Sequence, residues 1–596
     1  MDSEIKNTSA GSVQVCKNCK KDFVIEPDDF DFYERMKVPP PTWCPECRLR
    51  RRIMWRNEKT MHRRKCDATG KMTFSTIAPD APFKVYERDY WWSDAWNPLD
   101  YGKDVDFSRP FLEQINELFH QVPVPSRSVV NMVNSDYCMN SSAMKNSYLV
   151  FHATHDEDCQ YSVGLDGSKN CSDCLFVSDS ELCYECFLVN NSYKLMYCAD
   201  CDNSQNLFLC QDCAGCQNCF GCVGLRNKTN HIFNEQYTKE EYQEKIKAFD
   251  LGSTKGLENA KAEFDKFKLS VPNKYIHARH TTNVSGDYIY HAKNTLNSYR
   301  VANIEDVRYC QNIVFDPGAK DCYDYSFFGQ GSELIYESAS VGIQSSNIKF
   351  CSFVYNSVSN IEYSIYCTEA HNFFGCVGVK SKQYCILNKQ YTKEEYEELV
   401  PKIKKHMEEM PYVDAGGRVY TYGEFFPPEF CPFGYNETVA QEYLPFTKKG
   451  AMEAGFPWRE MSTKEYVPTK SWKDIPASIQ EADDSIIKEV ILCRSWDEQG
   501  EEKALEHNCS KAFKITAEEL AFYKRMGAPI PQRCFNSRHF ERSKLRNPVS
   551  LWKRKCMCDK KHSHHEGKCT NEFETSYSPD RKEIVYCEQC YQQEVA

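Results

Sequence analysis

Cys171-Ser-Asp-Cys-Leu-Phe-Val-Ser-Asp-Ser-Glu-Leu-Cys-Tyr-Glu-Cys186 opens a stretch in which cysteines recur as Cys-x-x-Cys pairs. The same spacing continues through Cys198, Cys201, Cys210, Cys213, Cys216, Cys219 and Cys222. Short apolar phrases such as Cys186-Phe-Leu-Val189 alternate with Asn, Ser, Asp and Gly. Strand-like phrases that recur every 11 to 15 residues with turn-like breaks predict a parallel β-solenoid.

The solenoid stretch is duplicated further along the chain. Phe220-Gly-Cys-Val-Gly224 and Gln236-Tyr-Thr-Lys-Glu-Glu-Tyr242 both recur 154 residues later, in a copy with fewer cysteines. In each copy the Thr-Lys-Glu-Glu phrase is a capping box, which predicts helices over Tyr242 to Phe249 and Tyr396 to Met407. We expect these helices to cover the open end of each stack.

The N-terminal region carries the strongest chemical signal. Cys16-Lys-Asn-Cys19 and Cys44-Pro-Glu-Cys47 are two thiolate pairs of the kind that binds zinc tetrahedrally. A copy of this ribbon lies 490 residues later, where Glu506 and Ser537 replace the first and last cysteines. With only Cys509 and Cys534 left of the four ligands, we expect this copy to fold without metal.

The module that follows the second ribbon offers more ligands than one zinc can use. We predict Cys556, Cys587 and Cys590 as ligands, with Cys558 or Cys569 as the fourth. A nearby cluster of His562, His564 and His565 is interpreted as a solvated insertion. The sequence therefore predicts two structural zinc ions, one near each end of the chain, with more possible.

These features predict a mainly β protein with a small amount of α-helix. Two tandem parallel β-solenoid-like units with capping helices are flanked by treble-clef or zinc-ribbon modules at both termini. The predicted segments are a ribbon with a basic helix (1–66), an aromatic-rich linker module (67–130), solenoid unit 1 (131–250), solenoid unit 2 (251–408), a Pro/Gly-rich connector (409–490), a degenerate ribbon (491–555) and a C-terminal zinc ribbon (556–596).

The chain resembles a family of multi-domain zinc-ribbon proteins from genome-reduced candidate-phylum bacteria. The resemblance is carried by the Cys16 to Arg52 ribbon, the Tyr90-Trp-Trp-Ser-Asp-Ala-Trp-Asn-Pro98 segment, the duplicated Gln-Tyr-Thr-Lys-Glu-Glu-Tyr phrase and the ending Glu583-Ile-Val-Tyr-Cys-Glu-Gln-Cys-Tyr591. It implies zinc binding and this architecture, and it brings no activity, substrate or partner.

A basic run follows the first ribbon. Arg48, Arg50, Arg51, Arg52, Arg63, Arg64 and Lys65 are candidate contacts to the phosphate backbone of RNA. The alternative, which we favour slightly, is a helix face whose arginines pair with nearby carboxylates. The tryptophans at 91, 92 and 96 can stack on bases, although core packing is the better interpretation.

The middle cysteines admit three interpretations. Cys213, Cys222 and His231 match Cys367, Cys376 and Cys385 in the copy, and a His exchanged for Cys suits a shared zinc site. An iron–sulfur cluster is disfavoured, because strands would hold the sulfurs apart. We favour the third interpretation, in which the thiols are small buried side chains of the solenoid interior.

Composition limits the cellular setting. A formal charge of -11 argues against a protein that coats nucleic acid or anionic membrane along its length. No membrane span or export signal is present, and 33 cysteines in such a chain favour thiolate ligands in a reducing compartment. We expect a cytoplasmic protein with no membrane partner, and the oligomeric state is left open.

The leading functional hypothesis is a zinc-binding, non-enzymatic scaffold that docks RNA, a ribonucleoprotein or a protein. One rival is a carbohydrate-active solenoid enzyme that uses His152, His155, Asp156 and Asp158. The other is a metal store or redox protein built on the cysteine ladder. The sequence contains no Gly-rich phosphate loop, no Gly-x-Ser-x-Gly elbow and no His-Glu-x-x-His helix, which favours the scaffold.

Overall fold

The computed structural model describes residues 11–460 and 467–595. The chain divides into two compact units, of which the first comprises Met1–Arg127 with Ile276–Arg459 and the second comprises Ser128–Tyr275 with Glu460–Ala596. Over these described residues the fold is mainly β, with 25% helix and about 22 solenoid turns. The first unit contains the predicted solenoid unit 2 and the cysteine-bearing modules of the N-terminal end. The second unit contains the predicted solenoid unit 1 and the cysteine-bearing modules of the C-terminal end.

The elements of the first unit fall into a ribbon part, a solenoid and a connector. Its helices are Pro27–Met36, Pro45–Ile53, Arg88–Trp92, Phe111–Gln121, Lys393–Glu409, Val439–Tyr443 and Lys448–Glu453. Its strands outside the solenoid are Ser12–Val15, Asp22–Ile25, His62–Lys65, Met72–Ser75, Val85–Tyr86, Val124–Pro125, Tyr412–Val413 and Val419–Tyr420. Its solenoid strands are Ala278–Arg308, Gln311–Ile313, Lys320–Phe328, Glu333–Gly342, Ser346–Lys349, Ser352–Tyr355, Ser359–Glu362, His371–Phe374, Gln383–Ile386 and Lys389–Gln390.

The second unit repeats this composition. Its helices are Lys239–Lys247, Thr254–Lys268, Arg494–Gln499, Glu501–Glu506, Ala517–Met526, Phe535–Ser543 and Glu588–Val595. Its solenoid strands are Val129–Val133, Met139–Lys145, Tyr148–Thr154, Gln160–Asp166, Leu175–Ser178, Phe187–Asn190, Tyr193–Met196, Ala199–Asp202, Gln205–Phe208, Gln217–Phe220, Thr229–Ile232 and Glu235–Gln236. Its remaining strands are Asn273–Lys274, Ile491–Leu492, Ala512–Phe513, Trp552–Lys555, Glu572–Thr575 and Val585–Tyr586.

Each coil of the second unit's solenoid is twelve residues long. Leu175 pairs in parallel with Phe187, which pairs in parallel with Ala199, and side-chain bonds between coils repeat at a separation of 12. The buried core side chains fall on every third residue, as at Cys171, Cys174 and Val177. A coil of this length therefore turns four side chains inward, which confirms a parallel solenoid and gives it a very narrow interior.

Cysteine is the commonest side chain of this interior, where it packs beside leucine, valine and methionine. The Ser162 hydroxyl donates to the Gln160 carbonyl at 2.8 Å, and the Cys174 thiol donates to the Ser172 carbonyl at 3.4 Å. The Cys174 thiol also lies 3.4 Å from the carbonyl oxygen of Cys183 in the next coil. Cysteine and serine therefore have the same role here, because each fills interior space and donates a hydrogen bond to a backbone carbonyl.

The corners of the coil lie immediately before the inward residues and have left-handed backbone dihedrals. Asn206, Asn218 and Asn230 are three such corners, with φ of 55°, 52° and 58°. Their amides bond in a ladder, since Asn206 donates to Asn218 and Asn218 donates to Asn230, each at 3.2 Å. Asparagine tolerates this backbone region better than most residues, which explains its recurrence in the sequence.

Substitution at one corner should reveal this backbone requirement. We expect Asn218→Val to destabilise the second unit by about 1–2 kcal/mol, because a β-branched residue is strained at positive φ. Asn218→Gly loses the same amide bonds but accepts the backbone, so its loss should be smaller. Thermal unfolding of the two variants provides the measurement, and equal melting temperatures would contradict the argument.

Both predicted capping boxes are present. Thr238 and Glu241 cap the helix Lys239–Lys247, and Thr392 and Glu395 cap the helix Lys393–Glu409. In the second unit, aromatic residues of the capping region pack on the last coils, where the Phe249 ring lies 4.3 Å from the Phe220 ring. These helices begin three residues earlier than expected, and they supply the cover that the end of a stack needs.

The first unit's solenoid contains longer coils. Lys320 pairs with Glu333, Glu333 with Ser346 and Ser346 with Ser359, so these three coils have 13 residues each. Larger inward side chains accompany the extra residue, including Tyr325, which is fully buried. The one-residue insertions widen the interior without breaking the parallel pairing.

Candidate metal centres and the buried arginine network

The four cysteines of the N-terminal ribbon come together as predicted. The ligand atoms of Cys16, Cys19, Cys44 and Cys47 all lie within 4.8 Å of one another. The sulfurs of Cys19 and Cys44 are 3.7 Å apart, close to the edge of about 3.8 Å that a tetrahedron with Zn–S bonds of about 2.3 Å requires. The geometry therefore fits a single tetrahedral ion of the zinc type.

The surrounding backbone favours thiolates at this site. Cys44 stands at the N-cap of the helix Pro45–Ile53, and its amide donates to the Cys16 sulfur at 3.2 Å. The Asn18 side chain donates to the Cys47 sulfur at 3.3 Å. Hydrogen bonds from Cys44 and Cys47 lower the pKa of the Cys16 thiol, and the same bonds raise the pKa of the Cys44 and Cys47 thiols. Donors of this kind stabilise the charge that metal ligation needs.

The C-terminal module holds a second group of four thiols. Cys556, Cys569, Cys587 and Cys590 lie within 4.8 Å of one another, so Cys569 completes the set. The amide of Cys587 donates to the Cys556 sulfur at 3.3 Å, as the amide of Cys44 does to Cys16. Cys558 belongs instead to a neighbouring group with His562, His565 and Cys590.

The histidine cluster lies beside this second group, on a segment in which His564 is exposed and His562 and His565 are half-buried. His562 Nε2 is 3.1 Å from the Cys558 sulfur, and His565 Nε2 is 3.1 Å from the Cys590 sulfur. The short segment after Cys558 folds back over the module, a closure that spacing in the sequence alone does not specify. The module can hold one ion and contains more potential ligands than that ion needs.

The middle cysteines are arranged as a ladder. Among the residues that the structure describes, no group of three or more metal-type ligands within 4.8 Å of one another includes Cys213, Cys222, His231, Cys367, Cys376 or Cys385. The Cys213 and Cys222 thiols point to backbone carbonyls of Gln211 and Phe220 at 3.4 and 3.3 Å. This is the arrangement expected of interior side chains, the interpretation we favoured.

The arginines that follow the first ribbon are buried inside the first unit. Arg48, Arg51 and Arg52 are 2%, 0% and 0% exposed. Arg48 and Arg52 share the carboxylate of Asp324, at 2.9 and 2.7 Å. Arg51 pairs with Glu337 at 2.6 Å. The ribbon helix Pro45–Ile53 is thus fixed to the solenoid strands Lys320–Phe328 and Glu333–Gly342.

The second unit repeats this network with its own residues. Arg538 and Arg542, on the helix Phe535–Ser543, share the carboxylate of Asp173 at 2.9 and 3.2 Å. Arg542 also pairs with Glu185 on the next coil, at 2.6 Å. Because Arg538 and Arg542 are the copies of Arg48 and Arg52, the docking of ribbon on solenoid is duplicated along with the sequence.

The other candidate phosphate contacts divide into buried and exposed side chains. Arg50 donates to the Tyr435 hydroxyl at 2.8 Å, and Arg64 donates to the Ala78 carbonyl at 3.1 Å. Both are less than 10% exposed, whereas Arg63 and Lys65 are exposed on the strand His62–Lys65. Burial and pairing leave the ribbon-helix arginines no open face toward a phosphate, so an RNA contact there would rest on Arg63 and Lys65.

The tryptophan cluster of the first unit packs around a lysine. Trp91 is 2% exposed, and its indole donates to the Pro123 carbonyl at 2.9 Å. The Lys380 ammonium lies 4.0 Å from the Trp91 ring and 5.1 Å from the Trp96 ring. Trp91 and Trp96 are occupied within their own unit by packing and by a cation–π contact, in agreement with the core interpretation. Trp92 departs from it, because it is 44% exposed.

Of the four acid–base candidates of the glycan hypothesis, Asp156 is an interior residue, whereas His155 and Asp158 are exposed and His152 is half-buried. Asp156 is 1% exposed and accepts a hydrogen bond from the Ser168 amide at 2.7 Å. Burial raises the pKa of this carboxyl to about 8. A sugar could not reach Asp156 without the coil opening, so this carboxyl serves in the structure as an interior acceptor for the backbone.

Within the described part of the chain, none of the helices has both the length and the apolar character of a membrane span. No protein-family model matches the chain, and no curated protein matches it. Among solved structures, one match is a "putative acetyltransferase" from Desulfovibrio desulfuricans G20, at 8% identity and a TM-score of 0.09, covering 49% of this chain and 85% of that one.

Proposed function

We propose that the protein is a non-enzymatic scaffold in which zinc-bound ribbons are fixed to β-solenoids that present a binding surface. The observation that carries this proposal is the repeated docking of a ribbon helix onto a solenoid through shared aspartates, Asp324 in one unit and Asp173 in the other. Ribbons that are docked in this way have a structural role in the scaffold. The ion of the N-terminal ribbon then stabilises the surface that the first unit's solenoid offers.

The partner that we propose is a protein bound along the outer face of the second unit's solenoid. An open groove of about 620 Å³ lies there, lined by Lys169, Asp179, Glu181, Asn191 and Tyr193 among others. Its lining mixes both charge signs with amides, and Tyr193 is 41% exposed. Mixed charge around an exposed aromatic residue suits a protein surface better than a phosphate backbone.

Site-specific crosslinking tests the proposed surface. A photoreactive amino acid in place of Tyr193 should capture a partner in an extract of the source cells. We expect Glu181→Lys to weaken the capture by roughly tenfold, because a like charge placed at an interface opposes binding. Glu244→Lys, an equally exposed charge reversal on the capping helix, serves as the control. Equal capture by both variants would reject the groove.

RNA remains the alternative partner, and a salt titration separates it from a protein. Labelled single-stranded RNA should bind weakly at 150 mM salt if the proposal holds, since the ribbon-helix arginines are already paired. Tight binding that Arg63→Glu with Lys65→Glu abolishes would replace the protein partner by RNA. Lys17→Glu with Lys20→Glu, on the ribbon turn, is the matched charge control.

A further inference from the structure

The second ribbon copy has a cysteine in the place of Cys16 that the constant displacement of 490 residues does not reveal. The strand Ile491–Leu492 pairs antiparallel with Ala512–Phe513, as Ser12–Val15 pairs with Asp22–Ile25 in the first ribbon. Cys493 follows the first of these strands, just as Cys16 follows Val15. The helices Arg494–Gln499 and Glu501–Glu506 then fill an insertion before Cys509.

Hydrogen bonding gives Cys493 the same place as Cys16. The amide of Cys534 donates to the Cys493 sulfur at 3.3 Å, and the amide of Cys44 donates to the Cys16 sulfur at 3.2 Å. Cys534 is the N-cap of the helix Phe535–Ser543, as Cys44 is the N-cap of its own helix. Three of the four ligand positions of the first ribbon are therefore occupied by cysteine in the copy.

The three sulfurs have metal-site spacing. Cys493, Cys509 and Cys534 are buried, and their sulfurs lie within 4.8 Å of one another. Cys509 and Cys534 are 3.7 Å apart, the same separation as Cys19 and Cys44. This spacing agrees with the edge of about 3.8 Å for two thiolates on one zinc.

A hydroxyl stands where the first ribbon has its fourth cysteine, because Ser537 takes the position of Cys47. Ser537 Oγ lies 3.3 Å from the Cys534 sulfur and 3.7 Å from the Cys493 sulfur. His507 Nε2 lies 3.1 Å from the same hydroxyl, and the His507 ring stacks on Phe540 at 4.6 Å. The imidazole therefore holds the hydroxyl toward the sulfurs.

We propose that Cys493, Cys509 and Cys534 bind a third zinc ion, with Ser537 Oγ at the fourth position and His507 as the residue that positions it. The proposal concerns the second ribbon alone and does not depend on the partner proposed above. A hydroxyl is a weaker zinc ligand than a thiolate, so this ion should exchange more readily than those of the four-cysteine sites.

Metal analysis of the full-length chain tests the site. Cys493→Ser should lower the zinc content by one ion per chain relative to the wild type. Cys213→Ser, which changes a buried solenoid thiol, should leave the zinc content unchanged. Circular dichroism and thermal unfolding establish that both variants are folded. A folded Cys493→Ser protein with wild-type zinc content would overturn the proposal.

A gain-of-ligand variant keeps the proposal testable if Cys493→Ser does not fold. Ser537→Cys rebuilds four thiolates, so zinc release to a chromogenic chelator should be at least about tenfold slower for one ion per chain. In cobalt-substituted protein the same variant should show stronger thiolate-to-metal charge-transfer absorption. Release kinetics and cobalt spectra identical to the wild type would show that no ion occupies the site.

Discussion

Asp324→Asn is expected to destabilise the first unit by about 3–5 kcal/mol, the usual cost of removing one partner from a buried ion pair. Asp324 is 0% exposed and pairs with both Arg48 and Arg52, so its loss leaves two guanidinium groups buried with less compensating charge. Asparagine keeps the size of the side chain and tolerates the φ of 53° found there. Denaturant unfolding gives the free energy.

Asp321→Asn is the matched control for this substitution. Asp321 lies on the same strand and also has a φ of 53°, but its partner Arg35 is 51% exposed. An exposed pair of this kind contributes about 0–1 kcal/mol. If the two variants lost the same free energy of unfolding, the buried network would not be what holds the ribbon helix on the solenoid.

Cys44→Ser is expected to remove one zinc ion per chain and to unfold the first ribbon locally. Metal binding supplies folding free energy directly, about 10–16 kcal/mol in isolated zinc-finger peptides. The arginine network still anchors the helix end, so we expect protease cleavage to appear within 12–44 before the solenoid is cut. Elemental analysis and limited proteolysis with mass spectrometry measure the two effects.

The control for Cys44→Ser is Cys66→Ser. Cys66 is 2% exposed and accepts a bond from the Glu87 amide at 3.2 Å, a setting close to that of a ribbon cysteine. Among the described residues it belongs to no group of metal-type ligands. Cys66→Ser should therefore keep the wild-type zinc content, and loss of an ion from it would reveal a site that the geometry does not contain.

Local signals in the sequence predicted the solenoid, its caps and the N-terminal cysteine site. Thr238 and Glu241 form a capping box because both groups lie within one helical turn, and Cys16 and Cys19 share one tight turn. Each of these interactions depends on residues close together in the chain, or on a cysteine pattern that recurs widely in zinc ribbons.

The sequence does not predict which distant residues form ion pairs in the fold. Arg52 meets Asp324 across 272 positions, and a run of positive residues does not indicate which carboxylates will bury it. Cys493 was missed for another reason, because the insertion before Cys509 moves it out of the constant displacement that relates the two ribbons. The phrase Ile491-Leu-Cys493 could have revealed it, because two apolar residues and a cysteine precede the ribbon there. Its match to Cys16 requires a comparison of the two ribbons that allows an insertion.

The spacing of inward residues has a consequence for the gene. Asp324 lies 151 positions after Asp173, whereas Thr392 lies 154 positions after Thr238, and the three coils of 13 residues between these points account for the difference. Loss or gain of twelve codons would remove or add one whole coil and leave every other side chain facing the same way. Coil number can thus drift by unequal recombination, while the positions of Asp173 and Asp324, each tied to a ribbon, limit where such events are tolerated.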